Sequence, residues 1–248
     1  MSFPFSEPVG TPFHLGSPSH GTVLAIFALL VIAMVAWRNP SDAARKRMRW
    51  ALAVILVGSD LGWHVWFLMT GQWSVVSMLP LQLCALTSYL CAAMLVTRSY
   101  FLYELVYFYA LGGSSQALFT PDIPYDFPSP RFLLNFVGHG AMVFGALYMT
   151  RVEGYRPTWR SAKRAAIALL AYAAVMFWVN LALGSNYLFI GRKPDAATAL
   201  DILPPWPWYV PMLGLAVIVL VVVLYAPFAV ADLVKAKRGA QPQRPAAL

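Results

Sequence analysis

Seven stretches of this chain are apolar for about 20 residues at a time, the helical length that crosses a bilayer core of roughly 30 Å. They cover residues 21–37, 50–70, 78–97, 101–118, 132–150, 165–184 and 208–230. The connections are short, the longest being 185–207, and leave no room for a soluble domain. Only 11% of the 248 residues are charged while 60% are hydrophobic, and mean hydropathy is +0.63. A soluble domain carries about 25% charged residues, so a soluble enzyme, a secreted disulfide scaffold and a disordered chain are excluded. The expected fold is an all-α membrane protein, a seven-transmembrane-helix bundle.

Lys and Arg in the loops set the expected orientation. With the N-terminus outside, fifteen of the eighteen basic residues fall on the cytoplasmic side. They are Arg38, Arg45, Lys46, Arg47 and Arg49; Arg98; Arg151, Arg156, Arg160, Lys163 and Arg164; and Lys235, Lys237, Arg238 and Arg244. Arg131, Arg192 and Lys193 alone fall outside. The net charge of +8 therefore marks topology and anionic-lipid contact, and no nucleic-acid partner is expected. Residues 1–19 hold no Lys or Arg, unlike the start of a cleaved signal peptide, and read as an extracytoplasmic N-terminal segment. Residues 20–230 form the membrane domain. Residues 231–248 form a short basic cytoplasmic tail, which reads as disordered after Lys235. Cys84 and Cys91 share one span, separated by roughly 10 Å of helical rise, too far to bridge.

Ionisable groups at membrane depth are functional candidates. At 1.5 Å per residue, Cys84, His139 and His64 each lie roughly 9–10 Å below the outer ends of their spans, and Gln82, Asn135, Asn180 and Gln116 within about 7 Å. Polar residues from five spans thus gather in the outer half of the bilayer. Cys84 reads either as a small hydrophobe or as a nucleophile, which would need a nearby base or positive charge. His139 stands between Gly138 and Gly140 with Asn135 one turn earlier; that amide is placed to hydrogen-bond the ring, and a structural interhelical bond fits equally. Asp60 and His64, four residues apart, make either a proton relay or a neutralised pair joining helices. Glu104 is expected to snorkel or to bond a neighbouring helix, and Cys91 to serve packing alone. Loops 119–130 and 185–207 are rich in Pro, the second ending in Pro204-Pro205-Trp206-Pro207, and fit a lid over the polar cluster or a rigid connection.

The last span has no lysine for a retinal Schiff base, no His-Glu-x-x-His or Gly-x-Ser-x-Gly motif occurs, and no His, Cys and carboxylate set has metal-ligand spacing. No metal or other cofactor is expected. Four motifs stand in order: Leu79-Pro80-Leu81-Gln82-Leu83-Cys84; Gln116-Ala117-Leu118-Phe119-Thr120-Pro121-Asp122; Gly138-His139-Gly140; and Asn186-Tyr187-Leu188-Phe189 with Lys193-Pro194 and Trp206-Pro207-Trp208-Tyr209. Together they resemble the YwaF-like bacterial integral membrane family, itself similar to the vertebrate transmembrane ether-phospholipid acyltransferase family. The resemblance implies acyl transfer by Cys84 as nucleophile and His139 as base, in a bacterial plasma membrane. Many relatives carry a histidine beside the cysteine; here its neighbours are Gln82, Leu83, Ala85 and Leu86.

Two functions follow as expectations. One is a lipid acyltransferase that moves an acyl chain between membrane phospholipids through a Cys84 thioester. In it Asn135, His64, Asp60, Gln116, Asn180, Asn186 and Lys193 support catalysis or bind substrate. The other is a transporter or small-molecule-binding protein that uses the same cluster, with Asp60 and His64 carrying protons.

Overall fold

The structure, a computed structural model, describes residues 11–193 and 199–239. Residues 1–10 of the N-terminal segment, Pro194 and Asp195 in the last long loop, and residues 240–248 of the tail lie outside the described residues. Eight α-helices are present: α1 (Pro18–Ala36), α2 (Asp42–Met69), α3 (Leu83–Thr97), α4 (Tyr100–Tyr109), α5 (Gln116–Phe119), α6 (Pro130–Arg151), α7 (Trp159–Leu183) and α8 (Tyr209–Gly239). A π-turn, Ala110–Ser114, joins α4 to α5 in one rod, which makes seven rods among the described residues. α1, α2, α6, α7 and α8 are long and apolar enough to cross a membrane. The protein is a multi-pass helical membrane protein.

Local chemistry explains the helix ends. Ser17, Ser41 and Ser99 cap α1, α2 and α4 by accepting from the amides of His20, Ala44 and Leu102. Thr158 and Ser161 form a reciprocal capping box at the start of α7. Arg98, in the left-handed region at φ 56°, turns α3 straight into α4. α6 is the most buried of the five long helices. Its Met142, Ala146 and Met149 pack with Leu56 of α2, Cys91 and Leu95 of α3, and Val106 of α4. Outward faces carry Leu29, Val54, Ile167, Trp178 and Val223 exposed, as lipid contact requires.

The basic loops anchor one end of the bundle through two buried carboxylates. Glu104 is 2% exposed and accepts from Ser161 Oγ and Arg164 Nη1, each at 2.7 Å. It thus bonds a neighbouring helix, one of the two roles expected for it. Glu153 accepts from Arg49 Nη1 at 2.5 Å and pairs with Arg98 at 3.4 Å. A carboxylate out of water is stable only when so paired.

Three expectations are corrected. The third span was expected over residues 78–97, but helix begins only at Leu83; Pro80 supplies no amide donor to a preceding turn. The fourth span is not a regular helix, because the π-turn interrupts it. The tail is not wholly irregular, since α8 runs on to Gly239.

Residues 11–16 lie against loop 119–130: Phe13 N–H donates to Pro124 O at 3.1 Å and Asp126 N–H to Thr11 O at 2.9 Å. His20 is buried, donates from Nε2 to Leu118 O (2.9 Å) and accepts from Gly16 N–H at Nδ1 (3.2 Å). Asp126 accepts from Ser19 Oγ and from Phe127 N–H. Burial raises the proton affinity of the Asp126 carboxyl, but hydrogen bonds from Ser19, Phe127 and Ser17, with His20 nearby, outweigh it and hold the pKa below the ordinary value. The resulting stability is present above the unfolded carboxylate pKa and lost as pH falls through the lowered folded value. Asp126→Asn should therefore lower the thermal midpoint at neutral pH, and the difference from wild type should shrink below about pH 4, as a thermal-shift series across pH would show.

Candidate membrane-embedded site

Cys84 sits in the first turn of α3 rather than two turns inside it, because the helix starts late. Gln82 occupies the N-cap position and makes no side-chain cap; its Oε1 accepts instead from Leu188 N–H at 3.0 Å. The first-turn amides of Leu83, Cys84 and Ala85 have no intrahelical acceptor, as at any helix start. The bond ladder resumes with Leu86 N–H to Gln82 O. Cys84 is half-buried, and the polar side chain beside its thiol is Ser114.

Ser114 ends the π-turn, whose defining bond runs from Ser115 N–H to Ala110 O at 3.1 Å. Such turns recur at functional sites because they displace one side chain from helical register. Two glycines allow it here. A Cβ at Gly112 would fall 2.7 Å from Leu220 Cδ2, so α8 approaches closely there, and one at Gly113 would touch Leu83. The Ser114 hydroxyl is buried and donates to Met142 Sδ at 3.3 Å.

His139 is half-buried on α6. The expected bond from the Asn135 side chain to the ring is not made: Asn135 Nδ2 donates to Ala117 O at 3.1 Å. Its backbone carbonyl takes that role, 2.8 Å from His139 Nδ1. A carbonyl only accepts, so Nδ1 carries a proton, and in the neutral ring Nε2 keeps its lone pair.

Packing lower in the bundle fixes the level of the two residues. Tyr103 pairs with Thr150, Ser114 with Met142, and Ala117 with Asn135, so the 100–119 rod runs antiparallel to α6. It is likewise antiparallel to α3, which makes α3 and α6 parallel. Cys91 packs on α6 where a Cβ at Gly145 would lie 2.9 Å from its sulfur. Seven residues earlier on each helix, about 10 Å of rise, stand Cys84 and the Gly138-His139 pair. The backbone positions of Cys84 and His139 therefore come at about one depth. No hydrogen bond joins Cys84 to His139.

Asp60 and His64 are brought together, with His64 Nε2 3.5 Å from Asp60 Oδ2. Trp73 Nε1–H donates to His64 Nδ1 at 3.1 Å, and Tyr89 donates to Asp60. Asn180 and Asn186 work within the last loop. Asn180 Oδ1 accepts from Tyr187 N–H and Ser185 Oγ–H, both at 2.8 Å, while Asn186 Oδ1 accepts from Gly191 and Arg192 N–H at 3.1 Å. Lys193 Nζ donates to Leu203 O at 2.6 Å. Gln116 is exposed, and its backbone carbonyl caps Thr120. Ser114 and Tyr89 escaped the sequence reading; the Gly112-Gly113-Ser114 run was the one available sign of an irregular helix. Among the described residues, no group of three or more His, Cys, Asp or Glu could hold a metal ion.

The profile of the TMEM164 family matches residues 14–225, which include all of these positions. An uncharacterized protein of Treponema pallidum (strain Nichols) is 29% identical over 211 residues, covering 82% of either chain. No solved structure matches significantly.

The Cys91–Gly145 contact that sets this register is testable. Gly145→Ala should destabilise by about 1–3 kcal/mol through overpacking, and Cys91→Ala in the same protein should recover most of that loss, measured by thermal unfolding in detergent.

Proposed function

The chain belongs to the TMEM164 family, and from that premise we propose that it is a phospholipid acyltransferase of a bacterial plasma membrane. In this reading it has seven spans, its N-terminus outside and its C-terminus cytoplasmic. Cys84 is the nucleophile and His139 the base. The observation that carries the reading is the position of Cys84 on an uncapped first helical turn, beside Ser114 and level with a histidine whose Nε2 is unprotonated in the neutral ring. The motif likeness to YwaF-like proteins supports the same chemistry.

His139 Nε2 takes the Cys84 proton and the thiolate attacks the carbonyl carbon of a lipid ester. The tetrahedral oxyanion is met by the free first-turn amides of α3, where the helix dipole also favours negative charge. The ester C–O bond breaks, and the leaving lysolipid oxygen takes the proton back from His139. A hydroxyl of a second lipid then gives its proton to His139 and attacks the thioester. Its oxygen forms the new ester, and the Cys84 sulfur leaves and is reprotonated. Cys84 and His139 are not hydrogen-bonded to each other, and in this reading they come together around the ester, as catalytic hydrogen bonds commonly tighten only in the complex. A site in the outer half favours a phospholipid donor over cytoplasmic acyl-CoA.

The Asp60–His64–Trp73 chain favours a second reading, proton-coupled transport, in which Asp60 rather than Cys84 is indispensable.

Purified wild type incubated with phospholipid donors should gain an acyl mass that hydroxylamine removes. Cys84→Ala should gain none, and His139→Ala should form the adduct about 10²–10⁴-fold more slowly. An unmodified, folded wild type across a broad donor panel would overturn the acyltransferase reading.

A further inference from the structure

α7 and α8 touch along part of their length and part company near the last long loop. The Trp159 ring lies tilted against Tyr225 with centroids 5.8 Å apart, and a Cβ at Gly214 would meet Leu170 at 3.8 Å. One turn beyond Gly214 the helices leave a groove of about 390 Å³. Its walls are Ala173, Ala174 and Phe177 of α7 and Val210 and Pro211 of α8, closed at the loop end by Ile190 and Trp206. No wall residue carries a charge, and the groove opens sideways between two helices that are long and apolar enough to cross a membrane.

The loop end of the groove is built rather than loose. Tyr209, next to Val210, donates its hydroxyl to the Phe189 carbonyl, next to Ile190. Lys193 lies over the Tyr209 ring, Nζ 5.9 Å from its centroid, and donates one N–H to Leu203 O at 2.6 Å. An ammonium has three donors, of which this bond uses one. Arg192, beside it, is exposed.

This charge is out of place by the topology pattern of the chain. Fifteen of the eighteen basic residues fall in the opposite set of loops, and one of the three exceptions, Lys193, stands over Tyr209, the residue before the groove's Val210. Positive charge on the side that loops normally keep free of it, set beside an apolar cleft between two helices of membrane-spanning length, matches one amphiphile: an anionic group at interface depth with a hydrocarbon chain below.

We propose that the α7–α8 groove is a phospholipid site, holding one acyl chain along Ala174 and Val210 with the lipid phosphate on Lys193. The site does not depend on Cys84 chemistry. The strap between the two regions is nonetheless shared. Leu188 binds Gln82 at the start of α3 and Ile190 closes the groove, so a lipid held there lies two residues along the strap from the turn that carries Cys84.

The test uses the full chain with Cys84→Ala, so that acyl transfer cannot affect the outcome. The protein is reconstituted in bilayers containing a phosphatidylcholine with a diazirine in one acyl chain, irradiated, and mapped by peptide mass spectrometry. A diacylglycerol with the same chain serves as the phosphate-free probe. The expected result is label on Ala173, Ala174, Phe177 or Val210 in excess over the lipid-facing Leu29 and Ile32 of α1. Ala174→Trp, or Val210→Phe as a second way to fill the groove, should cut that label about tenfold, the effect of losing ~1.4 kcal/mol of affinity. Lys193→Gln should reduce labelling by phosphatidylcholine and leave that by diacylglycerol unchanged. Groove label no higher than on α1, label indifferent to both filling variants in folded protein, or groove residues cross-linked to a second copy of the chain would each overturn the proposal.

Discussion

Everything in this protein is arranged around the absence of water for the backbone. In a bilayer every amide and carbonyl must find its partner within the protein, so any stretch that is not helix has to be bonded by something else. Residues 74–82, just before α3, show how that is done. Tyr187 donates to Val75 O and accepts from Leu79 N–H, Tyr172 donates to Leu81 O, and Gln82 accepts from Leu188 N–H. The last long loop is thereby tied onto the start of the third span. The loop is itself stitched by Asn180 and Asn186, with Leu188 and Phe189 held at φ 61° and 52°, a conformation that persists only where its surroundings over-determine it.

One consequence is that two motifs more than a hundred residues apart form a single unit. The run ending at Cys84 and the run beginning at Asn186 meet through Gln82 and Leu188. A second consequence is chemical. Shortening α3 leaves Cys84 in the first turn, at the positive end of the helix dipole, instead of two turns inside an apolar helix. The π-turn then brings Ser114 to the same place and sets Met142, one turn from His139, against it. Both irregularities belong to the same corner of the bundle.

At the opposite end the logic is ionic. Glu104 and Glu153 are buried and each pairs with arginine, joining α4 to α7 and the turn after α6 to α2 and α3. The same arginines that mark topology in the sequence therefore also clamp helix ends. The Asp60–His64 pair has no such arginine; Tyr89 and Trp73 complete its bonding with neutral donors. That arrangement suits a pair that holds α2 to α3 and to the loop between them as well as it suits a proton carrier.

How much could be read in advance follows from range. Apolar length and the i,i+4 geometry of Asp60 and His64 are local, so helix existence, lipid-facing composition and that pair were legible in the sequence alone; the depth of Cys84 within its helix was not, because that helix begins only at Leu83. Helix starts were not: whether α3 begins at 78 or 83 depends on bonds from Tyr172, Tyr187 and Leu188, roughly a hundred residues away. Nor was the partner of Asn135, because an amide on a helix face is satisfied by whichever carbonyl the neighbouring rod presents, here that of Ala117. The sequence by itself determined a helical membrane bundle with few polar groups inside it, since hydrophobic length acts residue by residue. Only the tertiary structure decided which of those groups meet, because in a medium without water each polar atom takes its partner from a distant part of the chain.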